Sequence, residues 1–116
     1  MESGVPEISN RADVTIRHEK GAVTVAGTGS LDLTNAQEFR EALETASDSA
    51  DELSVDFRLV MFIDTAILEY LARAAKKMIA RDKRLRIIAT EGSQPLRVIR
   101  TVGFGDIMDV AAEATP

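Results

Sequence analysis

The chain contains no cysteine, which removes disulfides, thiol nucleophiles and thiolate metal sites and agrees with a reducing compartment. It has a single histidine, His18, so neither a histidine metal centre nor a Ser-His-Asp triad has its usual parts. No stretch approaches the roughly 20 apolar residues that span a bilayer, and the N-terminus has no signal-peptide core. A cytoplasmic protein without membrane insertion is expected. Positive charge is also in short supply: 14 Lys and Arg stand against 19 Asp and Glu, for a net charge of -5. That balance argues against broad binding to nucleic acid or anionic lipid. The bases that exist gather between Arg73 and Arg86 and read as a solvated helix face followed by a basic turn.

What is present suffices for a folded domain. A chain of 116 residues, 45% of them hydrophobic, fits one globular unit. It can bury roughly two thirds of its unfolded surface without a metal or disulfide staple. Residues 12–112 are expected to form that unit, and residues 1–11, which contain Gly4 and Pro6 and show no periodicity, a loose arm.

Val14, Ile16 and His18 alternate with Thr15 and Arg17, the pattern of a strand. A turn at Glu19-Lys20-Gly21 and a β-branched run from Ala22 to Ala26 complete a hairpin. Gly27, Gly29 and Ser30 read as a break. Thr34 and Gln37 have capping-box spacing and predict a helix from about Thr34, with Ala36, Phe39, Leu43 and Ala46 on its apolar face. Leu53, Val55 and Phe57 predict a third strand. The connection Arg58 to Ile63 is apolar enough to require cover from the fold or from a partner.

Asp64 and Thr65 open the clearest helix, with an apolar stripe of Ile67, Leu68, Leu71, Ala74, Ala75, Met78 and Ile79. Glu69 and Arg73 are placed for an i,i+4 ion pair. After a strand within Arg84–Ala89, Ser93, Pro95 and Gly103 mark the cap, first turn and left-handed end of a third helix. Ile107 to Val110 supplies a last strand. A hairpin followed by alternating helices and strands implies right-handed crossovers. The fold expected is a small α/β sandwich on a mostly parallel mixed sheet.

The chemistry available is limited, and neither catalysis nor a cofactor is expected. Gly27-Thr28-Gly29 begins like a phosphate loop, but Asp32 holds the third glycine's place and no P-loop lysine follows. His18 belongs to the inward face of its strand. Asp32 and Asp64 each end a strand-to-helix connection, at the sheet edge where α/β proteins build binding surfaces. Either carboxylate also suits the free N–H groups of a helix start. Thr65 presents a hydroxyl at a helix mouth, as a cap or as a phosphoacceptor. Phosphate there would add nearly two negative charges, which a helix N-terminus accommodates.

Phe62-Ile63-Asp64-Thr65-Ala66-Ile67-Leu68 resembles the STAS-domain signature, in which Asp precedes a phosphorylatable Ser or Thr and a helix. Gly29-Ser30-Leu31-Asp32 resembles the family's earlier Gly-Glu-Leu-Asp segment, and Gly103-Phe104 its late glycine-hydrophobic pair. The match covers roughly residues 12 to 110 in order and spacing. The resemblance implies a bacterial anti-sigma-factor antagonist. Such a protein binds an anti-sigma factor that is also a serine/threonine kinase, and lets it go once phosphorylated. A PP2C-type phosphatase restores binding. It further implies Thr65 as phosphoacceptor, and Asp32, Asp64, Thr65, Ala66 and Ile67 as the partner-binding set. Ala66 and Ile67 replace the family's second serine and glycine. Two other STAS roles stay open: a non-catalytic subunit of a phospholipid-transport ATPase complex, and a stressosome-type scaffold.

Overall fold

In the computed structural model, which describes residues 13–114, an antiparallel hairpin joins β1 (Asp13–Glu19) to β2 (Ala22–Leu31). The link Lys20-Gly21 has positive φ at both positions, 49° and 87°, the turn whose twist matches that of its strands. The arm expected over residues 1–11 lies outside the described residues. Three crossovers follow. Helix α1 (Gln37–Ser49) leads to β3 (Glu52–Ile63), and α2 (Thr65–Ala80) leads to β4 (Leu85–Thr90). Helix α3 (Gln94–Val102) and a 3-10 turn at Phe104–Asp106 lead to β5 (Met108–Glu113).

The strands lie in the order β1-β2-β3-β4-β5, and every pair after the hairpin is parallel. Each crossover steps one strand in the same direction, so the right-handed rule places all three helices on one face. Burial follows that rule. Val23, Val25, Leu53, Val55, Phe57, Leu85, Ile87 and Ala89 are buried, and the intervening Thr24, Ser54, Asp56 and Arg86 are not. The expected fold class is the observed one. At the core's centre the Phe39 and Phe57 rings pack with centroids 5.8 Å apart and planes tilted by 33°, near the favoured aromatic separation.

On the uncovered face Arg58 binds Asp56 at 2.7 Å and Glu113 at 3.2 Å, joining β3 to β5 past the end of β4. The Arg58 guanidinium, mainly through its hydrogen bonds, holds the Asp56 carboxyl below its ordinary pKa. On the other side, α2 supplies what the end of α1 lacks. Lys77 donates to the Glu44 carbonyl at 3.2 Å, and Arg81 to the carbonyls of Ser47 and Ala50 at 3.1 and 3.0 Å. These cations meet the negative, hydrogen-bond-hungry end of α1.

Three sequence expectations change. Strand β2 does not stop at Gly27 but runs on to Leu31. Its pairing with β3 shifts register between Ala26 and Thr28 and between Gly29 and Ser30, and Gly29 takes φ 82°, a conformation that costs glycine little. The apolar segment after Arg58 is not a loop; it is the outer half of β3, bulged opposite those shifts. Helix α1 begins at Gln37, behind an Ala36 N-cap with no side-chain bond. The Thr34 hydroxyl and N–H both turn back to Asp32 Oδ1, so the capping box does not form.

Candidate functional site

The carboxyl ends of β2 and β3 project beyond β4, which pairs with β3 only over Leu53–Asp56. At this edge Asp64 is the N-cap of α2, with extended backbone. Its Oδ1 accepts from the N–H groups of Ala66 and Ile67 at 3.1 and 3.3 Å, two of the four donors a helix start leaves free. Its Oδ2 accepts from the N–H of Leu33 at 3.0 Å, tying the β2–α1 loop to the α2 start. Thr65 is the first residue of α2 and is exposed. Asp64 having taken the cap, the Thr65 hydroxyl makes no hydrogen bond to any described residue.

The β2–α1 loop is held by its own polar residues. Asp32 Oδ1 accepts from the Thr34 N–H at 2.8 Å and from the Thr34 hydroxyl. Asn35 Oδ1 accepts from the Asp32 N–H, and Asn35 Nδ2 donates to the Ser30 carbonyl, both at 2.9 Å. The Thr34 hydroxyl, then the Thr34 N–H, keep the Asp32 carboxyl below its ordinary pKa, so it carries charge at neutral pH. Asp32 closes its own turn and caps no helix, and its half-exposed carboxylate lies on the same edge as Asp64.

Of the five residues the resemblance marks, Asp32, Asp64, Thr65 and Ala66 retain exposed surface and Ile67 has none, at 0% relative exposure. The Ile67 side chain is buried in the core with Leu71 and Ala74. On the β2–α1 loop and the outer half of β3, Leu33, Leu59, Met61 and Phe62 are 68%, 69%, 77% and 45% exposed, with Leu59 on the uncovered face beside Asp56, Arg58 and Thr90. Met61 projects at the β3 bulge, between the partners of Gly29 and Ser30.

Gln94 belongs to this structure and was not singled out from the sequence. Its Oε1 accepts from the Ile63 N–H at 2.9 Å and its Nε2 donates to the Ile63 carbonyl at 3.0 Å. The side-chain amide thus takes the place of a strand beside the last residue of β3, fixing the peptide that precedes Asp64. No helix among the described residues is long and apolar enough to cross a membrane.

A family profile described as "Mlab, STAS domain" matches residues 14–109. Among solved structures, the chain resembles an anti-sigma factor antagonist from Mycobacterium paratuberculosis with a TM-score of 0.77 and 19% identity, covering 88% of this chain and 86% of that one. A putative anti-sigma factor antagonist from Thermotoga maritima gives 0.72 and 13%, covering 86% of each chain. The Bacillus cell fate determinant SpoIIAA in its phosphorylated form gives 0.65 and 20%, covering 87% and 93%. No curated protein sequence matches the chain. At these identities the structural likeness is one of fold.

Proposed function

The chain belongs to the STAS-domain family, and we propose that within it the protein is an anti-sigma-factor antagonist switched by phosphorylation at Thr65. The unphosphorylated form binds an anti-sigma factor/serine-threonine kinase and thereby regulates sigma-factor-dependent transcription. Phosphorylation releases the partner, and a PP2C-type phosphatase resets the cycle. The chain itself supplies a hydroxyl and a surface, with catalysis left to its partners.

The observation that carries this reading is the free, exposed Thr65 hydroxyl at the start of α2, next in the chain to a strand end and tied through Asp64 to a loop that expose Met61, Phe62 and Leu33. Apolar patches of this kind usually mark interaction surfaces. A phosphate at Thr65 meets the positive end of α2, so folding survives the modification. A partner seated on Leu33, Met61 and Phe62 then faces nearly two new negative charges beside the carboxylates of Asp64 and Asp32. Desolvating that charge against apolar contacts is costly. Ile67 is buried, so its side chain is not part of the exposed surface beside Thr65.

The test is an affinity pull-down from the source cells with intact-mass analysis of the bait. Recovery of an anti-sigma factor/kinase with unmodified bait, and its absence with bait carrying one phosphate at Thr65, supports the proposal. Equal recovery with both forms contradicts it. The permanent exposure of Leu59 and Met61 also favours a second reading, a constitutive non-catalytic subunit of a phospholipid-transport ATPase complex, which would copurify whatever the state of Thr65.

A further inference from the structure

Strand β1 forms one edge of the sheet and pairs only with β2 among the described residues. Its hairpin closes on the two-residue turn Lys20-Gly21, so Glu19 and Ala22 are a hydrogen-bonded pair, and such pairs alternate along antiparallel strands. Arg17, Thr15 and Asp13 therefore turn their N–H and C=O groups to Thr24, Ala26 and Thr28. Those of Val14, Ile16 and His18 point away from the sheet and have no partner among the described residues. The strand is exposed along nearly its whole length. Ile16 is 43% exposed although it lies on the helix side, where it lines a groove with His18, Val23 and Ala42. An open edge of this kind is a template for another strand. The opposite edge, β5, carries Asp109 and Glu113 and no cation.

We propose that β1 pairs antiparallel with β1 of a second copy of this chain, about a two-fold axis at Thr15, joining the two sheets edge to edge. Register decides the occupant. A two-fold pair is self-complementary, and it closes hydrogen bonds only where Val14, Ile16 or His18 of one copy meets one of the same three on the other. Centring the axis on Ile16 sets Asp13 opposite Glu19, and centring it on Arg17 sets that cation opposite itself. Like charges directly opposite are destabilising. An axis at Val14 or His18 leaves that residue in the only hydrogen-bonded pair within β1. The axis at Thr15 meets none of these objections. On the uncovered face it sets Asp13 opposite the partner's Arg17 and Arg17 opposite the partner's Asp13. On the helix side Val14 meets the partner's Ile16, and Ile16 the partner's Val14, so the exposed isoleucine gains apolar cover. Thr15 meets itself, a favourable cross-strand pair. Asp13 and Arg17 form no ion pair with any described residue, so both are available. From Asp13 to Arg17 the strand is thus its own complement, which an unrelated edge strand is not. None of these residues belongs to the Asp64–Thr65 edge, so the inference stands apart from the switch.

The test uses the full chain, which has no cysteine of its own. Sedimentation over a concentration series is expected to show a reversible monomer–dimer equilibrium. D13R and R17D each bring like charges together across the axis and should weaken the dimer about tenfold. The double variant D13R/R17D exchanges the two charges and should restore it. Thr15→Cys lies on the axis in a closely spaced pair, with Cα atoms about 4.5 Å apart and within disulfide reach. Mild oxidation should therefore link it into a covalent dimer much faster than Glu19→Cys, whose copy lies eight positions along the ladder, about 26 Å away. The two cysteine variants decide the matter should a charge variant fail to fold. A monomer at every concentration, tighter dimerisation by D13R, a folded D13R/R17D chain that stays as weak as the single variants, or equal crosslinking at Thr15 and Glu19 overturns the proposal.

Discussion

The Asp64 carboxylate and the Leu33 N–H, 31 residues apart in sequence, meet at 3.0 Å, while the other oxygen of the same carboxylate caps α2. One side chain thus sets both the helix that presents Thr65 and the loop that presents Leu33. Asp64→Ala is expected to cost about 1 to 2 kcal/mol, the range for a lost N-cap. Hydrogen exchange at the Leu33 amide should quicken beyond the global change. Unaltered Leu33 protection in a destabilised variant would show that the loop holds itself.

Gln94 is the strand substitute beside Ile63. Removing it in Gln94→Ala leaves one donor and one acceptor without partners, and a cost of about 1 to 3 kcal/mol is expected. Urea denaturation measures the total, and faster exchange at Ile63 locates it. A change below about 0.5 kcal/mol, the size of an ordinary surface substitution, would mean that solvent satisfies that peptide without help.

The local signals were legible in the sequence because they act within a few residues. Asp64 before Thr65, Ser93 with Pro95, and Gly103 mark the ends of α2 and α3 where the structure has them: Ser93 Oγ accepts from Leu96, and Gly103 adopts φ 75°. What escaped depends on distant partners. Gly27 and Gly29 look like a break until β3 supplies the bulged register that they fit. The run after Arg58 looks like a loop until Gln94 and Thr90, which donates to the Arg58 carbonyl at 3.1 Å, arrive beside it. Thr34 has the spacing of a cap, but Asp32 lies closer to it than any helical N–H. The Asp64–Thr65 pair was readable, as was the need of the Arg58–Ile63 run for cover, but which of its side chains stay exposed was not, because that is set by which strand ends project.

The Asp32 carboxyl has its folded pKa depressed by the Thr34 hydroxyl and N–H. For such a group the stabilisation is present above the ordinary Asp value, about 3.9, and is lost as pH falls through the lower folded value. Followed by NMR, the Thr34 amide should therefore titrate below the ordinary Asp range, with no such step in Asp32→Ala. Titration at or above the ordinary value would contradict the Asp32–Thr34 turn.

Met61 is largely exposed and Leu71 is fully buried, so their substitutions should separate surface from core. Met61→Lys is expected to change stability by no more than about 0.5 kcal/mol and to weaken partner binding about tenfold or more, a loss of about 1.4 kcal/mol. Leu71→Ala should cost about 2 to 5 kcal/mol and reduce binding only by unfolding the chain. Calorimetry of both variants with the partner checks the assignment, and normal binding by Met61→Lys would remove Met61 from the interface.

Partner affinity at Thr65 tests the central claim most directly. The anti-sigma factor/kinase recovered by pull-down is titrated with the unphosphorylated chain, with the chain stoichiometrically phosphorylated at Thr65 as located by mass spectrometry, and with Thr65→Ala. Tight binding is expected for the unphosphorylated chain and for Thr65→Ala, which retains the Asp64 cap and cannot be modified. The phosphorylated chain should bind at least about tenfold more weakly. Equal affinity in both phosphorylation states, or phosphate placed by the kinase at a residue other than Thr65, would contradict the switch.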